Sequence, residues 1–261
     1  MKPTKNILST SNLSIGYATK KDQTVIAQQL NLNLQSGKLI TLIGGNGIGK
    51  STLLRTLCGI QQLLSGTVLL HDKDLHHYKP LEIAQNLSLV LTDTLPPSNL
   101  TVYELVALGR QPYTNWLGKL SPEDVDKVNE AIELTQIGFL SEKKHFEISD
   151  GQLQKVLIAR ALAQDTSLII LDEPTTHLDL LHKVSIFKLL KKLTSTTNKC
   201  ILFSTHDIDL AIQLSDEMIV MTENEVIQDE PCNLIIKGVF GTLFKDEHIK
   251  FDGDKGKFIV S

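Results

Sequence analysis

The sequence predicts an α/β fold organised around a parallel sheet, and three observations carry that reading. The run Gly44-Gly-Asn-Gly-Ile-Gly-Lys50-Ser51-Thr52 lies between an apolar stretch, residues 39–43, and an apolar-periodic segment ending near Cys58-Gly59, in the order strand, glycine loop, helix. Strand-type runs at residues 168–171 and 200–204 flank a helical pattern over about 180–193, and strand-helix-strand alternation implies parallel strands. Between these halves, residues 101–163 carry apolar side chains at three-and-four spacing, the mark of a mostly helical insert.

Along the chain, residues 7–14, 30–34, 39–43 and 67–70 are short β-type runs separated by turns such as Gln35-Ser36-Gly37. The insert reads as helices over 102–108, 122–137 and 152–163. The tail, residues 250–260, has the pattern of a small hairpin with Asp252-Gly253 at its turn. No internal repeat, low-complexity tract or linker interrupts the chain. Residues 1–261 therefore read as one domain, with a helical insert over about 95–165 and a small C-terminal extension over about 232–261. Ligands of open parallel sheets sit at the carboxyl ends of the strands, where Gly44, Asp172 and His206 all fall.

Of the 261 residues, 41% are hydrophobic and 21% charged, the balance of a globular protein that buries a full core. No segment approaches the roughly 20 apolar residues that a bilayer-crossing helix needs. The net charge is −4 and the basic residues are scattered rather than striped, which argues against nucleic acid as the main partner. Cys58, Cys200 and Cys232 share no C-x-x-C spacing and lie in or beside apolar runs, so they read as buried small hydrophobes. The first ten residues hold no apolar signal core, and a reducing cytoplasm fits best.

The chemistry starts at the glycine loop. Gly44, Gly45, Gly47 and Gly49, with Asn46 among them, let the backbone curl so that successive N–H groups point inward at phosphate. Lys50 reaches the outer phosphates and Ser51, followed by Thr52, offers a hydroxyl to Mg²⁺, while the helix that begins there adds the positive end of its dipole. Residues 168–171 run straight into Asp172 and Glu173. The first acid suits Mg²⁺ and the second polarises a water against a γ-phosphate. In Ile148-Ser149-Asp150-Gly151-Gln152, Ser149 and Gln152 have capping-box spacing ahead of a helix. Such a helix start is also an anion site, and the matching anion is the γ-phosphate of a second nucleotide.

Together these residues resemble the nucleotide-binding subunits of ABC transporters. Walker A (residues 44–51), the signature (148–152), Walker B (168–172, then Glu173), the D-loop Leu178-Asp179 and the switch histidine His206 follow in the family's order. The likeness covers roughly residues 8–229. It implies a P-loop NTPase fold with an N-terminal antiparallel β subdomain and an inserted α-helical subdomain. It also implies that Tyr17 stacks on adenine, that Lys50, Glu173 and His206 are catalytic, and that Ser51 and Asp172 hold Mg²⁺. Asp179 falls at a dimer seam, and two subunits sandwich two ATPs. Each ATP then lies between one Walker A and the Ser149, Gly151 and Gln152 of the other chain. The implied partners are a second copy, transmembrane permease subunits and, indirectly, an extracytoplasmic substrate-binding protein. The implied location is peripheral, on the cytoplasmic face of the inner membrane.

Within the family, Gly109-Arg110-Gln111-Pro112-Tyr113, residues 100–108 and residues 174–179 look like importers of iron-siderophores, with haem and cobalamin importers as alternatives. A soluble ABC ATPase acting as an ATP-gated clamp is expected to carry coiled-coil insertions, tandem cassettes or a basic groove, none of which the sequence has. A kinase or GTPase does not explain residues 148–152. Two positions depart from the family. Thr92 stands where the Q-loop glutamine is usual, with Asp93 beside it, or an ordered water, as the expected substitute toward Mg²⁺. Asp150 replaces a signature glycine, and its side chain is expected to point away from nucleotide.

Overall fold

The computed structural model describes residues 5–19, 22–91, 98–243, 249–253 and 255–260. Its first strand, β1 (Asn6–Ala18), is the spine of an antiparallel sheet. It pairs with β2 (Gln23–Leu30) along its second half and with β3 (Asn33–Gln35) along its first. Residues 30–34, which read as one strand, are thus divided between two. The left-handed backbone of Gln29 (φ 58°) and the Asn31 amide, which donates to the Gln29 carbonyl at 2.9 Å, turn a corner there. The pairing of β2 sets Tyr17 opposite Thr24.

β4 (Leu39–Gly44) is buried up to its last residue and leads through the glycine loop into α1 (Lys50–Leu57). β5 (Ser65–Leu70) and β6 (Lys73–Asp74) complete the antiparallel sheet, and α2 (Pro80–Ala84) precedes β7 (Leu87–Val90). Three helices then intervene before the sheet resumes: α3 (Val102–Ala107), α4 (Pro122–Thr135) and α5 (Asp150–Ala163). Each begins with a capping box, on Thr101, Ser121 and Ser149. The chain continues through β8 (Leu168–Leu171), α6 (Leu180–Thr197), β9 (Cys200–Ser204), α7 (Ile208–Leu214), β10 (Glu217–Met221), β11 (Val226–Asp229) and α8 (Pro231–Ile236). It closes with the hairpin of β12 (Ile249–Asp252) and β13 (Lys257–Val260).

The central sheet runs β11-β10-β4-β9-β8-β7, parallel throughout except where β11 pairs antiparallel with β10. Both faces are covered, which is why β8 is apolar at every position, and β4 and β9 at nearly every one, rather than at alternate ones. Ile43, Ile169, Leu171, Ile201 and Phe203 face a core shared with α3 to α6, and Ile40, Leu42, Leu168, Ile170 and Leu202 face one shared with α1 and the antiparallel sheet. Among the described residues, no helix is long and apolar enough to cross a membrane. Cys58 and Cys200 are buried as expected, and burial pushes both thiols up. Cys232 corrects that expectation: it is exposed, on the first turn of α8 behind Pro231.

The helices between β7 and β8 are held by a buried ion pair. Arg110 Nε donates to Asp124 Oδ1 at 2.8 Å, with only 4% of each residue exposed. The guanidinium also donates to the Ala163 carbonyl at the end of α5 (2.8 Å) and lies 3.9 Å from the Tyr113 ring centroid. Burial works against the Asp124 carboxylate, but the Ser121 hydroxyl and N–H and the Arg110 guanidinium outweigh it and hold the group below the usual range. Its contribution is therefore present above the ordinary carboxylate range and is lost as pH falls through its depressed folded value. Asp124→Ala is expected to destabilise the protein by about 3–5 kcal/mol in denaturant unfolding, because the Arg110 charge is left buried and unpaired. The double variant Arg110→Met/Asp124→Leu should lose less, and an equal or greater loss would show that packing volume rather than charge matters there.

Candidate active site

The phosphate loop is positioned by the strand that enters it. At Gly44 a Cβ would stand 2.7 Å from the Met221 carbonyl oxygen, so only glycine lets β4 turn beside β10. Gly49, the N-cap of α1, has φ 110°, a backbone that side chains rarely tolerate, and a Cβ there would stand 2.3 Å from Ile26 Cγ2. No side chain caps α1, so its first N–H groups stay available to an anion. Lys50 is buried at 6% exposure, and its amine donates to the carbonyls of Gly44 (3.0 Å) and Gly45 (3.2 Å). Burial pushes that amine down, opposed by the nearby charges of Glu173 and Asp172. Asn46, Gly47 and Ser51 are exposed, and Thr52 is buried. The antiparallel sheet brings Tyr17 to the same place, with its hydroxyl 3.1 Å from Thr52 Oγ1 and its ring largely in solvent.

The acids and the histidine arrive together because β8 pairs in parallel with β9, Leu171 opposite Phe203. The next residues of both strands then meet. Ser204 donates through Oγ to Asp172 Oδ1 at 2.7 Å and accepts from the Glu173 N–H at 2.8 Å. Glu173 has φ 48°, a left-handed conformation that strains a non-glycine residue by about 1–3 kcal/mol. Its side chain is held at both oxygens: His206 Nε2 lies 2.7 Å from Oε1, and Thr176 Oγ1 donates to Oε2 at 3.0 Å. A carboxylate only accepts, so the His206 proton sits on Nε2 in this contact. Beyond it, Asp207 accepts from Lys183 Nζ (2.7 Å) and Thr175 Oγ1 (2.9 Å), tying the histidine loop to α6.

Ser149 caps α5 as expected. Its Oγ accepts from the Gln152 N–H (3.3 Å), and Gln152 Oε1 accepts from the Ser149 N–H (3.0 Å). Ser149 and Asp150 are exposed and Gly151 is buried. Asp179 caps α6, accepting through Oδ1 from the backbone N–H of His182 (2.8 Å) and lying 2.8 Å from its Nδ1. The His182 backbone N–H, then its ring, hold the Asp179 carboxyl below the ordinary range.

The structure thus gathers Tyr17, the phosphate loop, Asp172, Glu173 and His206 along one end of the central sheet. Among the described residues, no hydrogen bond joins Ser149, Gly151, Gln152 or Asp179 to that group. Thr92 and Asp93 lie outside the described residues. Ser204 and Thr176, which hold the two acids, carry no signal in the sequence: a serine closing an apolar strand and a threonine in a turn acquire their roles only through pairing and backbone geometry.

A buried lysine, a glycine loop leading into a helix start that no side chain caps, and a carboxylate in contact with an imidazole constitute machinery for moving a phosphoryl group to water. Comparison with known proteins agrees. Residues 27–176 match the family model described as ABC transporter. The chain is 40% identical over 224 residues to the iron(3+)-hydroxamate import ATP-binding protein of Bacillus subtilis, covering 86% of this chain and 82% of that one. A solved structure of an inward-facing ABC transporter described as of the metal-chelate type superposes with a TM-score of 0.80 at 28% identity, over 94% of this chain and 90% of that one. A dimeric ATP-binding cassette in a post-hydrolysis state, bound to ADP and Pi, superposes with a TM-score of 0.72 at 25% identity, over 86% of this chain and 99% of that one.

Ser204→Ala removes the hydroxyl that donates to Asp172 Oδ1 and that accepts from the Glu173 N–H. It is expected to lower stability by about 1–3 kcal/mol in denaturant unfolding near neutral pH. Unchanged stability would mean that the hydroxyl is no clip between the two strand ends.

Proposed function

Since the chain belongs to the ABC transporter family, we propose that it is the ATP-hydrolysing subunit of an importer that carries iron-siderophore or related metal chelates across the cytoplasmic membrane. The observation that carries the proposal is the 2.7 Å contact between Glu173 and His206, beyond β8 and β9 on the same end of the sheet as the phosphate loop. The cargo is argued from the Bacillus relative and the metal-chelate transporter, which share most of this chain's length.

Backbone N–H groups of residues 44–49 and the start of α1 receive the phosphates, and Lys50 exchanges the Gly44 and Gly45 carbonyls for phosphate oxygens. Burial lowers its pKa, and the nearby phosphate anion raises it again. Tyr17, with its exposed ring, stacks on adenine. Glu173 takes the proton of the attacking water as the water oxygen bonds to the γ-phosphorus, and the bond to the bridging oxygen breaks to leave ADP and phosphate. His206 orients that water and the carboxylate, and Thr176 keeps the second carboxylate oxygen fixed. Ser204 aligns both acids from below.

Mg²⁺ suits the donors present. Among the described residues no cluster of three or more His, Cys, Asp or Glu forms a cage. The donors assigned to Mg²⁺ are the hydroxyl of Ser51, at the start of α1, and the carboxylate of Asp172, just beyond β8. That donor set matches an ion that takes its remaining oxygens from phosphate and water. Ser51 and Asp172 would hold it, and it would supply positive charge to the phosphate oxygens.

Ser149, Gly151, Gln152 and Asp179 complete the site in trans, so two copies enclose two ATPs. The helical insert engages permease subunits at the cytoplasmic face of the membrane, and the permease receives chelate from an extracytoplasmic binding protein. Glu173→Gln is expected to bind ATP normally and to lose turnover by about 100- to 10,000-fold, measured as phosphate release by the permease complex. Normal turnover in that variant would remove Glu173 as the base, and activity indifferent to the permease would favour a soluble ATPase.

A further inference from the structure

The start of α5, with its signature residues, and the start of α6, with Asp179, come from distant parts of the chain, and one side chain lies between them. At Gly151 a Cβ would stand 2.5 Å from His182 Cδ2, 3.1 Å from Cγ and 3.2 Å from Nε2, so the imidazole lies directly against the glycine backbone. The other edge of the ring is fixed too, with Nδ1 2.8 Å from Asp179 Oδ1. Asp179 accepts there, so the proton is on Nδ1. The cap of α6 does not need this bond, because the same Asp179 oxygen accepts the backbone N–H of His182. Nearby, α4, α5 and α6 part around a cleft of about 420 Å³, lined by Leu134, Lys155, Leu181, Ser185 and Lys188. Lys155 on α5 stands one turn beyond Gly151, and Leu181 and Ser185 flank His182 on α6.

We infer that His182 is a positioning residue, a strut that holds the signature start at Gly151 and the D-loop at Asp179 as one rigid surface, so that both meet the partner's nucleotide together. The inference rests on the ATP-sandwich reading above. A strut fails when it is cut at either end. His182→Phe keeps a ring against Gly151 but loses the donor to Asp179. His182→Asn places an amide N–H near the position of Nδ1 but loses the ring face against Gly151. His182→Ala loses both. The backbone cap of α6 survives in all three variants.

The test uses the full-length chain in a Glu173→Gln background, in which slowed turnover is expected to let ATP-bound dimers accumulate, and follows dimer formation by light scattering against ATP concentration. ATP binding to the monomer and thermal unfolding are measured alongside. The expected result is that all three His182 variants raise the ATP concentration for half-dimerisation by about tenfold or more, to similar extents. Monomer ATP affinity and the unfolding midpoint should be unchanged. A Phe variant that dimerises like wild type would reduce His182 to a space-filler, and an Asn variant that does so would reduce it to part of the α6 cap. Either result overturns the strut. If Glu173→Gln with native His182 forms no ATP-dependent dimer, the sandwich reading itself fails, which is a distinct outcome.

Discussion

Leu171 of β8 lies opposite Phe203 of β9, and the arrangement of the catalytic end follows from that register. Side chains of a strand alternate between faces, so a slip of one residue would exchange the two cores and carry Asp172 and Ser204 to opposite faces. With the observed register, the Ser204 hydroxyl reaches Asp172 and the Glu173 N–H at once, across 32 and 31 residues of sequence. Glu173 then leaves the strand in a left-handed conformation. That turn carries its carboxylate to His206 on one side and Thr176 on the other. The strain is local, and the apolar strand cores beneath it supply the compensation, since each fully buried Ile, Leu or Phe contributes about 1.5–3 kcal/mol.

The same sheet end concentrates charge. Lys50, Asp172 and Glu173 sit close enough for each carboxylate to pull the lysine amine up while burial pushes it down. A phosphate entering the loop brings negative charge to a cation that burial has left poorly solvated, which strengthens the attraction beyond its value in water. The helices between β7 and β8 solve a different problem. They have no strand register to hold them, and the buried Arg110 guanidinium takes that role by joining its own segment to α4 and α5 through Tyr113, Asp124 and the Ala163 carbonyl.

What could be read from sequence was what depends on short range. The glycine loop, the apolar strands at 168–171 and 200–204, and the capped helices at 122 and 150 each announce themselves within a few residues, and the structure places them within one or two residues of expectation. β2 escaped notice because the polar pair Gln28-Gln29 interrupts its alternation on a sheet edge. Residues 30–34 looked like one strand because Leu30, Leu32 and Leu34 alternate, although Gln29 and Asn31 turn the chain between two strands. Cys232 looked buried because Leu234, Ile235 and Ile236 follow it, but an amphipathic turn buries only one side. Ser204, Thr176 and His182 were illegible for a common reason: each acts on a residue whose proximity is a product of folding.

The division of the site carries a further consequence. Within one chain, Lys50 of the phosphate loop lies near enough to Asp172 and Glu173 to feel their charges, and Glu173 contacts His206, yet the helix start at Ser149 and the cap at Asp179 have no hydrogen bond to these residues among the described residues. Ser149 and Asp179 are nevertheless exposed, with their own helices capped by their own side chains. Capping fixes the backbone of each helix start, so an anion that later meets those N–H groups finds them already oriented and little ordering remains to oppose binding. On the proposed sandwich reading, two half-sites on one chain, each unable to enclose a nucleotide alone, make ATP the ligand that joins two copies. On the same reading, hydrolysis at Glu173 removes the γ-phosphate that both halves share, which weakens the joint as the chemistry is completed. In that way a short-range event at the ends of β8 and β9 becomes a movement of whole subunits.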